Sequence, residues 1–195
     1  MDAKYLRLCD RIRAMESVLV AFSGGVDSTF LLKVAHDVLG PRAVAATALS
    51  PSLPEAERAE ADRLAREIGA RLLWVETREH EDPRYRRNAS DRCYFCKSEL
   101  FDRFVPLAER EGLRWVAYGE VADDAGDHRP GARAARERRI RAPLAEEGVT
   151  KAEVRAWSRA LGLPTWDKPA MACLASRIPF GSEVTAEKLR QVERV

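Results

Sequence analysis

Val18-Leu19-Val20-Ala21-Phe22, followed by Ser23-Gly24-Gly25-Val26-Asp27-Ser28-Thr29, is the stretch that decides the fold. Its first five residues are a continuous apolar run, short enough for a strand buried on both faces. Ser23-Gly24-Gly25 breaks the run. Ser28 to Leu39 then reads as a helix, which Gly40-Pro41 stops. Two glycines between strand and helix let the backbone come close to a ligand. The N–H groups that follow sit at the positive end of the helix dipole. Ser23, Ser28 and Thr29 add hydroxyl donors, so the turn is an anion cradle of phosphate size. It is neither a G-x-x-x-x-G-K-[ST] loop nor a G-x-G-x-x-G dinucleotide fingerprint. Asp27 would repel a phosphate unless a cation stood between them, which points to Mg²⁺.

The same alternation continues outward from this turn. Residues 4–15 read as a helix with Leu8, Ile12 and Met15 on one side. Ala43 to Leu49 is a second apolar strand, and Pro54 opens an amphipathic helix that closes near Gly69. Residues 72–75 form a third strand, 92–111 a helix, and 115–118 a fourth strand ending at Gly119. The stretch 77–91 reads as an excursion loop and 123–139 as a charged, mobile loop. Ile140 suggests a short fifth strand. Thr150 caps a helix reaching Leu161, with Glu153 as capping-box partner. Residues 162–183 read as irregular, and a last helix begins near Thr185. The order β-α-β-α-β-α-β predicts an α/β fold, a doubly wound parallel sheet with helices on both faces. Ligands in such folds sit at the carboxyl ends of the strands, where the loops after Phe22, Leu49, Val75 and Tyr118 gather.

The 195 residues carry 33 Lys+Arg against 31 Asp+Glu, a net charge of +2, with 46% hydrophobic residues. These proportions describe a folded chain and argue against disorder. No apolar run approaches the ~18–20 residues that span a bilayer. The start lacks the apolar stretch of a signal peptide, which predicts a cytoplasmic protein. The near-neutral charge supplies no global field for nucleic acid, so nucleic acid is disfavoured as a partner. Twenty-seven of the basic residues are Arg and six are Lys. That imbalance reads as genomic bias, since Ala is also abundant.

Four cysteines are present: Cys9, Cys93, Cys96 and Cys173. In a cytosolic chain they are expected as thiols rather than disulfides. Cys93 and Cys96 stand at i and i+3 at the start of a helix, on one face and within reach of one metal or cluster. The helix start, with Arg92 and Lys97 beside them, favours thiolate. Cys173 sits in the irregular segment before Pro179 and Gly181. Three thiolates can hold three irons of a [4Fe–4S] cluster and leave one iron open. A four-ligand zinc site would need His80 or His128 as well. A redox pair and an inert helix pair remain open at this level. Cys9 reads as a core residue.

The Ser23–Ser28 turn resembles the PP-loop of ATP pyrophosphatases, S-G-G-x-D-S. That resemblance implies ATP as cofactor, cleaved between its α and β phosphates. Three further segments narrow it: Asp91-Arg92-Cys93-Tyr94-Phe95-Cys96-Lys97 with Phe101, Asp123-Asp124 with Asp127 and Arg129-Pro130-Gly131, and Ala172-Cys173-Leu174-Ala175-Ser176-Arg177-Ile178-Pro179-Phe180-Gly181. Together, from about residue 4 to the end, they look like LarE, the sulfur-inserting PP-loop family that helps build the nickel-pincer nucleotide. The resemblance implies a small nucleotide substrate, pyridinium-3,5-biscarboxylic acid mononucleotide. One of its carboxylates would be adenylated and converted to a thiocarboxylate. In one branch of the family a cysteine matching Cys173 gives up its own sulfur. In the other, three cysteines hold a [4Fe–4S] cluster whose open iron carries sulfide. Cys93, Cys96 and Cys173 match the second branch, and a sacrificed cysteine would need no partner thiols. Ser176 and Arg177 match positions near a substrate phosphate or carboxylate. Asp123 and Asp124 are read as helping to bind Mg²⁺ or position ATP, against simple loop solvation. Relatives assemble around this sheet, so a homo-oligomer is expected.

The sequence departs from the family in two places. The usual Gly-Thr-Asn-x-Asp-Asp appears as Gly119-Glu120-Val121-Ala122-Asp123-Asp124, which loses two polar side chains. Residues 1–180 account for an ATP pyrophosphatase domain, and 181–195 read as the start of an incomplete C-terminal domain. Its apolar stripe Leu189, Val192 and Val195 is expected to lack cover. Two other readings stand beside sulfur insertion. One is a tRNA-thiolating PP-loop enzyme that uses the arginines at 129, 133, 136, 138, 139 and 141. The other is an ATP-binding module without turnover.

Overall fold

The computed structural model describes residues 2–126, 130–170 and 172–194. In chain order the elements are α1 (Ala3–Met15), β1 (Val18–Ala21), α2 (Val26–Leu39), β2 (Ala43–Leu49), α3 (Glu55–Ile68) and β3 (Arg71–Glu76). Then follow α4 (Pro83–Arg86), α5 (Arg92–Arg110), β4 (Trp115–Tyr118), α6 (Pro130–Glu137), α7 (Pro143–Glu146), α8 (Lys151–Ala160) and α9 (Ala186–Glu193). The strands form one sheet in the order β3-β2-β1-β4. Every pair is parallel, with Val20 level with Ala45 on one side and Ala117 on the other. The expected doubly wound α/β fold is the observed one.

Alternate residues of the central strands explain why both faces are covered. Val18 and Val20 of β1, with Ala43 and Ala45 of β2, pack with Leu8, Ile12, Phe30, Leu31, Leu64 and Val154 from α1, α2, α3 and α8. Leu19, Val44 and Ala46 point the other way and pack on Phe101, Phe104, Leu107 and Ala108 of α5. Fully burying one such side chain stabilises the fold by roughly 1.5–3 kcal/mol, so neither face of β1 is dispensable. The sheet reverses its direction of growth at β1, because β2 and β3 extend one way and β4 the other. Folds of this kind bind their ligands at such a reversal point, at the carboxyl ends of the strands.

Four local expectations change. Residues 83–86, inside the stretch read as an excursion loop, form the short helix α4. Residues 130–137 form helix α6 instead of loop, with Ala132, Ala134 and Ala135 buried. The fifth strand reduces to a single bridge between Ala117 and Arg141. The stripe of α9 is covered at Leu189, 2% exposed in a small cluster with Tyr85, Leu174, Ala175, Ile178 and Val184. Val195 lies outside the described residues. Among the described residues no helix is long and apolar enough to cross a membrane.

Candidate active site

The turn after β1 builds the cradle by its own hydrogen bonds. Ser28 Oγ accepts from Ser23 N at 3.2 Å, lies 3.1 Å from Ser23 Oγ, and donates to Gly25 O at 3.2 Å. Gly24 takes a φ of 71°, a left-handed conformation open to glycine. Gly25 caps α2 without a side-chain bond, so the first N–H groups of the helix keep their capacity for an anion. Gly119, at the end of β4, touches the same turn. A Cβ there would stand 2.9 Å from Asp27 C and Ser28 N, so only glycine allows β4 to lie against the cradle.

Ser23, Gly25, Asp27 and Ser28 line a cavity of about 440 Å³ at the carboxyl ends of the strands. Thr29 is fully buried behind them, its hydroxyl without a partner among the described residues. Three lysines line the same cavity: Lys97, Lys151 and Lys168. Lys151, first residue of α8, donates to both oxygens of Asp27 at 2.7 and 2.5 Å. An ammonium thus occupies the place where the sequence asks for a cation. Lys168 donates to Gly24 O at 3.2 Å and to Glu57 Oε2 at 2.8 Å. Asp123 accepts from the backbone N–H of Lys151 at 2.5 Å, and Asp124 from that of Val121 at 3.2 Å. Both aspartates thereby hold backbone at the start of α8 and the end of the β4 loop.

Cys173 and Cys96 both line this cavity. Cys173 is exposed, with its Sγ 3.1 Å from Ser176 Oγ, and Leu174 N donates to Ser52 O at 3.0 Å. Arg92 is buried and pins this segment. Its Nη1 donates to Asn88 Oδ1 at 2.5 Å and Ala175 O at 2.8 Å, and its Nη2 to Ser176 Oγ at 3.4 Å. Cys93 is exposed one helical turn before Cys96. The helix start does not govern Cys96 as expected. Burial, and then the nearby Glu79 carboxylate, push its thiol up to about 12. Glu79 is itself 3% exposed and accepts a hydrogen bond from Ser50 Oγ. Arg177 is exposed, with Nη1 3.5 Å from Val192 O. Among the described residues no three His, Cys, Asp or Glu side chains converge closely enough for a metal ion. The ring nitrogen Nδ1 of His80 is buried without a partner among the described residues, and Asp127, His128, Arg129 and Met171 lie outside them.

No protein-family model matches the chain. It is 50% identical over 194 residues to the uncharacterized protein slr1717 of Synechocystis, covering all of this chain and 72% of that one. It is 35% identical over 193 residues to the pyridinium-3,5-bisthiocarboxylic acid mononucleotide synthase of Lactiplantibacillus plantarum, covering 98% of this chain and 70% of that enzyme. The chain belongs to the LarE family. A 24% identity over 180 residues also relates it to the uncharacterized protein MJ0830 of Methanocaldococcus jannaschii. Fold and kinship together make this LarE-family chain a member of the ATP-utilising PP-loop enzymes.

Sequence reasoning singled out Ser23, Gly25, Asp27, Ser28, Cys96 and Cys173, which the fold brings to the wall of one cavity. It missed Lys151, Lys168, Glu57, Glu79 and Gly119. Gly119 at the mouth of a parallel strand was a signal in hand, because glycine there often marks close backbone approach. The two lysines had no local signal.

Proposed function

We propose that this chain is an ATP-dependent sulfurtransferase acting on pyridinium-3,5-biscarboxylic acid mononucleotide, with residues 1–180 as its ATP pyrophosphatase domain. A substrate carboxylate oxygen attacks the α-phosphorus of ATP, the bond to the β-phosphate oxygen breaks, and pyrophosphate leaves. A sulfur nucleophile then attacks the acyl carbon and AMP departs, which leaves a thiocarboxylate. The observation that carries this reading is the single cavity walled by both the cradle and Cys173.

Ser23, Ser28 and the first N–H groups of α2 would hold the phosphates. Asp27 fits a Mg²⁺ ion, since it already accepts a full positive charge from Lys151. Lys151, once displaced, would neutralise the departing pyrophosphate. Ser176 and Arg177 would meet the substrate's anionic groups. The donor set fits a sulfur-ligated cluster better than a lone cation, because two thiols from different elements share the cavity wall and a third stands one turn away. Cys93, Cys96 and Cys173 would hold a [4Fe–4S] cluster, which supplies an open iron able to carry sulfide. Arg92 precedes Cys93 and Lys97 follows Cys96, while the Glu79 carboxylate lines the same cavity as Cys96 and Cys173.

The deciding assay is anaerobic pyrophosphate release with the biscarboxylated mononucleotide, with and without sulfide. Release that depends on the mononucleotide, with thiocarboxylate formed, is expected. ATP binding without release would favour a non-catalytic module. Arg133 pairs with Glu137 and Arg138 with Asp102, so much of the charge offered to tRNA is already neutralised. A steep salt dependence of tRNA affinity would restore that alternative.

A further inference from the structure

We propose that Glu79 determines specificity as the counter-ion of the substrate's pyridinium ring, an inference that rests on the substrate reading above. Three carboxylates line the cavity: Asp27, Glu57 and Glu79. Asp27 pairs with Lys151, and Glu57 with Lys168. Glu79 pairs with no cation among the described residues, although it is the most deeply buried of the three. The one hydrogen bond to its side chain comes from the Ser50 hydroxyl, whereas a carboxylate offers about four acceptor sites. Other cations on the same wall are engaged elsewhere. The Lys97 ammonium lies 5.8 Å from the centre of the Phe101 ring. Arg155 donates to Trp166 O at 2.8 Å and to Lys168 O at 3.0 Å. A glutamate is rarely buried without a charged partner, because stripping water from the carboxylate is costly. Glu79 is therefore left to meet a cation that the ligand brings.

The surroundings of Glu79 select the kind of cation. Arg78 N donates to Glu99 Oε1 of α5 at 3.1 Å, which fastens the turn carrying Glu79 to the helix of Cys93 and Cys96. The Glu79 charge reaches Cys96, and Cys96 shares the cavity wall with Cys173. A carboxyl carbon that receives sulfur at these thiols is one bond from its ring, so the ring comes within reach of Glu79. Ala46, Ala48, Leu100 and Phe104 line the same cavity and suit a flat, apolar face. A divalent metal ion would ask for several oxygen ligands, and no cluster of three His, Cys, Asp or Glu side chains includes Glu79 among the described residues. A pyridinium ring asks for less, because its charge is spread over the nitrogen and the carbons beside it. Its two carboxylates stand on the carbons beyond those, where lysines of the same wall can answer them.

The test is calorimetric binding to reduced, metal-free protein without ATP. Pyridinium-3,5-biscarboxylic acid mononucleotide is compared with its 1,4-dihydro form, which carries the same carboxylates, ribose and phosphate on an uncharged ring. The natural protein is expected to bind the pyridinium form about tenfold more tightly. Glu79→Gln can still accept from Ser50 but has no charge. It should lose most of that preference while binding the dihydro form as the natural protein does. Glu79→Asp keeps the charge on a shorter stem and should retain part of the preference, and it carries the test if Glu79→Gln does not fold. An undiminished preference in either variant overturns the role of Glu79. A natural protein that binds both forms equally also overturns it and leaves the substrate reading intact. A natural protein that binds neither form removes the substrate reading, and the counter-ion with it.

Discussion

Lys151 and Asp27 are 124 residues apart in the chain and 2.5 Å apart in space. Lysine is a compact cation, and its bonds to charged acceptors are worth about 1.5–3 kcal/mol each. Its ammonium is partly exposed, so solvent screening trims that figure. Lys151→Met should therefore weaken Mg·ATP binding about tenfold, or 1.4 kcal/mol, by calorimetry. An unchanged dissociation constant would remove Lys151 from the phosphate site. Gly119→Ala should cost about 1–3 kcal/mol in denaturant unfolding, because the new methyl meets backbone atoms that cannot swing away. What could be read in advance follows from range. Ser23 to Ser28 are neighbours in sequence, so their chemistry is visible in one glance at the chain. Lys151 and Lys168 acquire their roles only when the sheet brings α8 and its following segment over the cradle. Cys96 shows the same limit: its helix position was legible, but the burial that sets its proton affinity was not.

Helix α8 has the complete capping box that its sequence announced. Thr150 Oγ1 accepts from Glu153 N, and Glu153 Oε2 accepts from Thr150 N at 2.8 Å. Lys4 first, then the Thr150 N–H, hold the Glu153 carboxyl below its usual range. A depressed carboxyl stabilises the fold above its unfolded pKa, about 4.3. That contribution fades as pH falls from there through the lower folded value. Glu153→Gln should accordingly flatten the acid limb of thermal stability between about pH 5 and pH 3. An acid limb identical to the natural protein would show that the box contributes nothing there. Helix α6 is the longest of the helices the sequence hid. Gly126, Pro130 and Gly131 carry the turn signal, and the arginines make the stretch look solvated. Its inner face consists of Ala132, Ala134 and Ala135, which bury too little apolar area to produce a strong periodic pattern. The fifth strand failed for the opposite reason: Ile140 is buried, but Pro143 turns the chain into α7 at once.

The molecule buries its sheet from both sides, and that is testable as a whole. Leu19 and Val20 are adjacent, face opposite layers, and are both fully buried. Leu19→Ala and Val20→Ala should each destabilise the protein, by about 2–5 kcal/mol for the leucine and less for the valine. In a sheet with one wet face, one of the pair would be nearly silent in chemical denaturation. The layered architecture was legible because four apolar runs alternate with amphipathic ones. The cavity was not, because its walls come from distant parts of the chain. Its composition has a practical consequence. The chain contains six lysines, Lys4, Lys33, Lys97, Lys151, Lys168 and Lys188, and three of them line this one cavity. In a protein whose positive charge is otherwise almost all arginine, amine-selective acylating reagents become a map of the site. Half of all side-chain amines available to such a reagent belong to the cavity, and a bound anion would shield them as a group.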